Sequence, residues 1–180
     1  MRTMGDGLPT GLVTFILTDV EGSTGHWTSD EAADTSRAMA RHREVIAAAV
    51  TEHGGVQPLE QGEGDSTISA FTSARAAIRA AVDIQVAMAA EPWPAAPVRV
   101  RVGLHVGEAV LIDDRTYGGP AIIRAARVRD VGHGGQIVVS QATAVLVGDD
   151  LPDDVSLREL GAVALKGLDR PETIHQVDHP

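Results

Sequence analysis

Thr14-Phe15-Ile16-Leu17-Thr18-Asp19-Val20-Glu21-Gly22-Ser23-Thr24 decides how the chain is read. An apolar run ends on a carboxylate, and a small, flexible turn follows at once. A strand that stops this way puts a hard oxygen ligand, Asp19, beside the backbone N–H groups of Gly22, Ser23 and Thr24, which can line one anion-binding concavity. The same residues also suit an ordinary strand closed by an Asx or Ser/Thr turn. The surrounding sequence has to choose between the two.

Leu12 to Leu17 reads as a buried strand. Ser29 or Asp30 can cap a helix that runs to about His53 and stops at Gly54-Gly55, with Met39, Ile46 and Val50 on one face. Val56 to Leu59 reads as a short strand, Gly62-Glu63-Gly64-Asp65 as a tight turn and Ser66 to Phe71 as the returning strand, a hairpin with an acid at its tip. An Ala-rich helix follows from Ser73 to Glu91, with Ile78, Val82 and Met88 facing inward, and Pro92-Trp93-Pro94 ends it. Val98, Val100, Val102, Leu104 and Val106 alternate with Arg99, Arg101 and His105, the pattern of a half-buried strand. After a polar connection over 113–119, Pro120 opens a helix that reaches about Val131. Ile137 to Val139 reads as strand, Gln141 to Leu146 as a short helix, and Val155 to Leu165 and Thr173 to Val177 as strands.

The leading order is therefore β-α-β-β-α-β. It predicts an α/β, or α+β, sandwich: a ferredoxin-like core with appended strands and helices, one mixed sheet, and helices on one face. Residues 1–11, rich in Gly and aperiodic, read as a flexible arm, and residues 12–180 as one domain.

Composition limits the function classes. The 180 residues suit one domain, and with two Trp, two Phe and one Tyr the core must be filled by Ala, Val, Ile and Leu. Cysteine is absent, which removes disulfides and thiolate metal sites and suits a reducing compartment. No apolar run has the length of a membrane span and no basic-then-apolar leader is present, so a cytoplasmic protein without membrane attachment is expected. A formal net charge of −10 argues against direct nucleic-acid binding, which needs a cationic face. A small polyanion remains acceptable where a metal and a few cations outweigh the global charge.

Within that frame, two acids hold comparable places. Asp19 ends the first strand and Asp65 lies in the turn ahead of the third. First and third strands of a β-α-β-β unit tend to be neighbours, so both carboxylates are expected to converge, a natural seat for one or two Mg²⁺ or Mn²⁺ ions. Arg124, Arg127 and Arg129 crowd one helix, and Arg124 and Arg129 are expected on a solvated face. Lys166, rare in a chain that prefers Arg, is expected near the end of a strand before Gly167.

Thr18-Asp19-Val20-Glu21-Gly22-Ser23-Thr24, Gly64-Asp65, Gly119-Pro120-Ala121 leading into Arg124-Ala125-Ala126-Arg127, Gly134-Gly135-Gln136-Ile137 and Leu165-Lys166-Gly167-Leu168 together resemble the class III nucleotidyl cyclase catalytic domain, in particular that of actinobacterial adenylate cyclases. The likeness covers roughly residues 12–178. It implies a head-to-tail homodimer with the active site between two chains, and a nucleoside triphosphate, ATP foremost, cyclised with loss of pyrophosphate. Asp19 and Asp65, with Val20 beside them, would hold two Mg²⁺ or Mn²⁺ ions. The turn of Val20, Glu21, Gly22, Ser23 and Thr24 would cradle phosphates. Arg127 of the other chain would stabilise transition-state charge, and Lys166 would bind the terminal phosphates. Similar domains often precede regulatory modules, so the chain suits a piece of a longer protein.

Three positions depart from the family's pattern. Adenine-selecting members carry Lys where this chain has Gln61 and Asp where it has Thr116, and the ribose-orienting Asn position holds Ile123. Gln61 and Thr116 retain hydrogen-bonding capacity toward a base, whereas Ile123 has none toward a ribose. Weak turnover and a nucleotide-binding domain without turnover are therefore both open. The stretch around Asp19 also loosely resembles the nucleophile motif of haloacid dehalogenase-type phosphatases, which wants Asp where Glu21 stands.

Overall fold

The structure is a computed structural model and describes residues 7–23, 32–59, 61, 64–94 and 96–180. The expected helix cap at Ser29 or Asp30, Thr24 of the phosphate turn and the turn residues Gly62 and Glu63 lie outside them.

The elements in chain order are β1 (Leu12–Val20), α1 (Ala32–Glu52), β2 (Thr67–Phe71), α2 (Ala74–Ala90), β3 (Val100–Glu108), β4 (Val110–Leu111), β5 (Tyr117–Gly118), α3 (Gly119–Asp130), β6 (Ile137–Ser140), α4 (Gln141–Val147), β7 (Ser156–Val163) and β8 (Glu172–Asp178). Six strands form one sheet in the order β2-β1-β3-β6-β8-β7, and β4 with β5 makes a separate hairpin. β1 runs antiparallel to both β2 and β3, and only β3 with β6 is parallel. This is the mixed sheet and ferredoxin-like core that the β-α-β-β-α-β order predicts. The second strand of that core is reduced to a single bridge between Val56 and Ala70. Pro58 has no N–H to give, and Gln61 Oε1 takes the Ile68 N–H at 2.7 Å, so the hairpin is closed by a side chain instead of a ladder.

The helices cover both faces of the sheet, not one. On one face Ile16, Val100, Val102, Leu104 and Val139 pack against α1, α2 and α4. On the other, Val13, Phe15 and Leu17 pack against Ala121 and Ala125 of α3, and Val138 packs against Val128. The inner residues of α1 (Ala38, His42, Val45, Ile46, Ala49 and Val50) recur at helical spacing. In α2, Ser73 Oγ accepts from Ala76 N as the N-cap, and the helix ends at the predicted proline boundary.

The covered second face explains β3. Its polar positions were expected to meet solvent, yet Arg101 is partly buried and His105 buried beneath α3. Glycine makes this possible: a Cβ on Gly103 would lie 2.4 Å from Arg129 N, and one on Gly107 would lie 2.9 Å from Ala121 Cβ. The polar side chains left under the helix are satisfied locally, with His105 Nδ1 2.8 Å from Ser140 Oγ. Ahead of β1, Tyr117 Oη donates to Pro9 O at 2.6 Å and Ala109 N to Gly11 O at 2.8 Å, which ties residues 9–11 to the β4–β5 region. No helix among the described residues is long and apolar enough to cross a membrane.

Candidate active site

Two cross-strand registers assemble the site. On the β2 side, Thr18 pairs with Thr67, their hydroxyls 2.7 Å apart, so continuing the antiparallel register sets Asp65 beside Val20. Asp65 Oδ2 accepts the Val20 N–H at 2.5 Å. On the β3 side, Asp19 pairs directly with Arg101. Phe15, Leu17 and Asp19 share one face by the two-residue period of a strand, and that face lies under α3. Asp19 and Asp65 thus lie in neighbouring segments at one end of the sheet, with Asp65 hydrogen-bonded to the residue after Asp19.

Asp19 is engaged by two guanidinium groups. Arg101 forks onto it, Nε to Oδ1 at 2.8 Å and a terminal nitrogen to Oδ2 at 2.5 Å. That pairing, the largest influence on Arg101, holds its guanidinium above the ordinary arginine range. Arg129 Nε stands 3.6 Å from Asp19 Oδ2, and another nitrogen of the same group donates to Ser66 Oγ at 3.3 Å. Its side chain is only 14% exposed. The expectation of a solvated face is overturned for both outer arginines: Arg129 is packed against the acid, and Arg124 pairs with buried Glu172.

Beyond the acids, the turn is tied into the fold. Glu21 N donates to Arg99 O at 2.9 Å, and Glu21 Oε1 accepts from Gly134 N at 3.0 Å. Val20 and Glu21 thus spend their own N–H groups internally. Gly22, with φ of 70°, turns the chain toward Ser23. Ser23 lines a cleft of about 560 Å³ together with Met39, Arg43, Gly64 and Asp65. Beneath it, fully buried His42 bridges Met39 O at 2.6 Å and Asp65 O at 3.2 Å. Burial pushes the His42 imidazole below its usual range, against the smaller opposing effect of those two carbonyls, and a neutral ring has one N–H to give to one of them.

The remaining expected residues lie elsewhere in the protomer. Gln61 spends its side chain on its own hairpin, accepting from Ile68 N at 2.7 Å and donating to Pro58 O at 2.6 Å. Thr116 closes the β4–β5 turn, its carbonyl accepting from Ile112 N at 2.9 Å. Ile123 is 50% exposed on α3. Arg127, one helical turn on, does not pair with Asp19 itself: it sits 3.5 Å from Asp130 Oδ2, the carboxylate that also holds Arg129, with its Nε buried and unpaired among the described residues. Lys166 is exposed in the turn after β7, not in the strand itself, which ends at Val163. β7 is the sheet's outer strand, three strands removed from β3, so one protomer does not bring Lys166 to Asp19.

The donor set suits a hard divalent cation: two carboxylates and the Val20 carbonyl at one edge, oxygen ligands throughout. Among the described residues no three His, Cys, Asp or Glu side chains form a cage. Such a sparse set fits Mg²⁺ or Mn²⁺, which keep water and substrate phosphates as ligands. Sequence reading missed Arg101, Arg129 and His42. Arg101 had a usable signal, since strand register places it opposite Asp19.

The chain belongs to the adenylate and guanylate cyclase catalytic domain family, whose sequence model matches residues 8–178. An uncharacterized protein of Mycobacterium tuberculosis is 46% identical over 172 residues, covering 96% of this chain and 58% of that protein. The chain thus spans less than two thirds of that relative. A Podospora anserina protein named adenylate cyclase is 27% identical over 94% of this chain and 10% of its own length. A solved Trypanosoma brucei adenylate cyclase in its monomeric state shares the fold, with a TM-score of 0.86 at 24% identity over 96% of this chain and 93% of that one.

Proposed function

We propose that the chain is a class III nucleotidyl cyclase that converts a nucleoside triphosphate, with ATP the expected substrate, into the 3′,5′-cyclic nucleotide and pyrophosphate. The ribose 3′-oxygen forms a bond to the α-phosphorus, the bond from that phosphorus to the bridging oxygen breaks, and the hydroxyl proton leaves to solvent. One observation carries the reading: the Asp65 carboxylate seated on the Val20 amide, next to Asp19 at the same sheet edge. Two Mg²⁺ or Mn²⁺ ions held by Asp19, Asp65 and the Val20 carbonyl would supply Lewis-acid activation of the hydroxyl and charge neutralisation at the α-phosphate.

The chain's own residues divide the rest of the work. Ser23, whose cleft continues to Arg43, receives the phosphates together with Gly22 before it, with Thr24 extending the turn. Glu21 acts through Gly134, holding the turn against the loop before β6. Arg127 is the transition-state cation and Lys166 the terminal-phosphate cation, both delivered by a second copy in a head-to-tail homodimer. Lys166 supports a second copy, because the turn that carries it follows the outer strand of the sheet, three strands from β3. The test is incubation of the purified chain with Mn²⁺ and each of the four nucleoside triphosphates, beside Asp19→Ala. A cyclic product that disappears in the variant is expected, and no product from any triphosphate rejects the proposal.

A second reading is a nucleotide-binding regulatory domain without turnover. Ile123 favours it, since a half-exposed aliphatic side chain stands where the ribose would need a hydrogen-bond partner. Gln61 favours it too, because its amide is already satisfied within the hairpin. Metal-dependent nucleotide binding by calorimetry without product would establish this alternative, and absence of binding would dismiss it.

A further inference from the structure

The contact between Arg129 and Asp19 reaches beyond the cyclase reading, although it rests on the metal-binding role given there to Asp19. α3 is seated so low on β3 that only Gly103 fits beneath Arg129, where a Cβ would come 2.4 Å from the Arg129 amide nitrogen. This seating delivers a mostly buried guanidinium to Asp19 Oδ2 at 3.6 Å, steadied by Ser66 Oγ at 3.3 Å and by Asp130 Oδ1 at 2.8 Å. Ser66 directly follows Asp65, so Arg129 spans the gap between the segments that carry the two candidate metal acids. With Arg101 forked on the same carboxylate, Asp19 faces two guanidinium groups, of which Arg129 is also shared with the Asp130 carboxylate. A dication arriving at Asp19 must displace or share that position, and meets repulsion at short range in a partly buried setting.

We propose that Arg129 determines when the site accepts metal. Beside Arg101 it is a second resident cation at Asp19, the one that also reaches the Asp65 segment through Ser66, so the nucleotide-free chain binds divalent ions weakly and takes them up together with a triphosphate, whose negative charge compensates the added cation. Arg129 is a positioning and specificity residue acting through Asp19, not a group that touches the reacting atoms.

The test is a Mn²⁺ titration followed by electron paramagnetic resonance of the free ion, on nucleotide-free wild type, Arg129→Gln and Arg129→Lys, with circular dichroism melts confirming that each is folded. Arg129→Gln should bind Mn²⁺ about tenfold more tightly than wild type, the effect of deleting one unit charge near the ion. Arg129→Lys should stay close to wild type. Both variants lose the fork to Ser66 and Asp130, so a purely structural role would move them together, and that result overturns the proposal. Equal affinity of wild type and Arg129→Gln overturns it as well. A measurement on wild type alone guards against a variant that does not fold: a non-cyclisable triphosphate analogue should tighten Mn²⁺ binding at least about tenfold, and unchanged affinity overturns the proposal. Equal affinities in a chain that still forms cyclic product would sink this inference alone. No Mn²⁺ binding with or without the analogue would sink the metal-site reading with it.

Discussion

The Asp65 carboxylate accepts the backbone N–H of Val20, 2.5 Å away, so the second acid is held by the peptide unit that follows the first. One side chain thus both closes the β1–β2 end and supplies a candidate cation ligand. Asp65→Asn separates the two roles, because an amide oxygen can keep the hydrogen bond while the charge is lost. It should melt close to wild type and lose cyclase activity by about a hundredfold or more, in the range for removing one preorganised electrostatic group. Asp65→Ala should also lower stability by about 1 kcal/mol through the unpaired amide. Thermal melts and product assays read the two effects, and a fully active Asp65→Asn would remove Asp65 from the metal site.

Gly103 sets how closely α3 lies on the sheet. Its neighbour is backbone, the Arg129 nitrogen at 2.4 Å from the ideal Cβ position, so rotating a side chain cannot relieve the clash. Gly103→Ala should destabilise by about 1–3 kcal/mol, or roughly 2–12 °C in melting temperature for a domain of this size. Gly107→Ala meets side-chain atoms first, the Ala121 methyl at 2.9 Å and His105 Nε2 at 3.2 Å, and should cost less. Scanning calorimetry ranks the two, and the reverse order would mean that α3 is seated differently.

These positions also mark how far the sequence could be read. β1, its terminal acid and the approach of Asp65 followed from strand periodicity and from the adjacency of first and third strands, both short-range or topological rules. The second face of the sheet was not legible. Arg101 and His105 look like solvent-facing residues because their satisfying partners, Asp19 and Ser140, are distant in the chain. Gly103 gave no sign that a helix backbone rests on it. Arg129 was misread for a related reason: spacing on α3 cannot distinguish a guanidinium aimed at water from one aimed at an acid 110 residues earlier. Whether Arg127 and Lys166 serve a neighbouring site is equally beyond single-chain periodicity, since it is a property of two copies.

His105 ties β3 to Ser140 beneath α3, and burial, aided by the Arg124 guanidinium and opposed by Glu172, lowers its pKa from 6.5 to about 4. The unfolded chain therefore binds the proton first. Between pH 6.5 and 4 the unfolded state carries more protons, stability rises with pH, and the contribution is lost as pH falls through that window. By pH 5 the loss from this one group should be about 2 kcal/mol, or roughly 4–8 °C. His105→Asn should start less stable at pH 7.5 but lose fewer degrees on going to pH 5. Parallel slopes for variant and wild type would show that His105 is not the group being titrated.

Ile123 is the position where function and sequence pull apart most. It is 50% exposed and precedes Arg127 by four residues, so the two project from the same side of α3. If that side completes a neighbouring copy's site, an aliphatic group stands beside the ribose while the charge-stabilising arginine is in place. The attacking hydroxyl is then bound but poorly aimed, and a misplacement of this kind costs about a hundredfold. Ile123→Asn should accordingly raise kcat by roughly ten- to a hundredfold with little change in KM, because aim improves more than affinity. A half-exposed helix position tolerates Asn at a cost of about 0.5 kcal/mol or less, so the fold is preserved. Sedimentation should accompany the kinetics, since loss of an exposed isoleucine can weaken association between copies. A dimer that persists with kcat unchanged would show that this helix face does not meet the ribose, and the role given to Arg127 would fall with it.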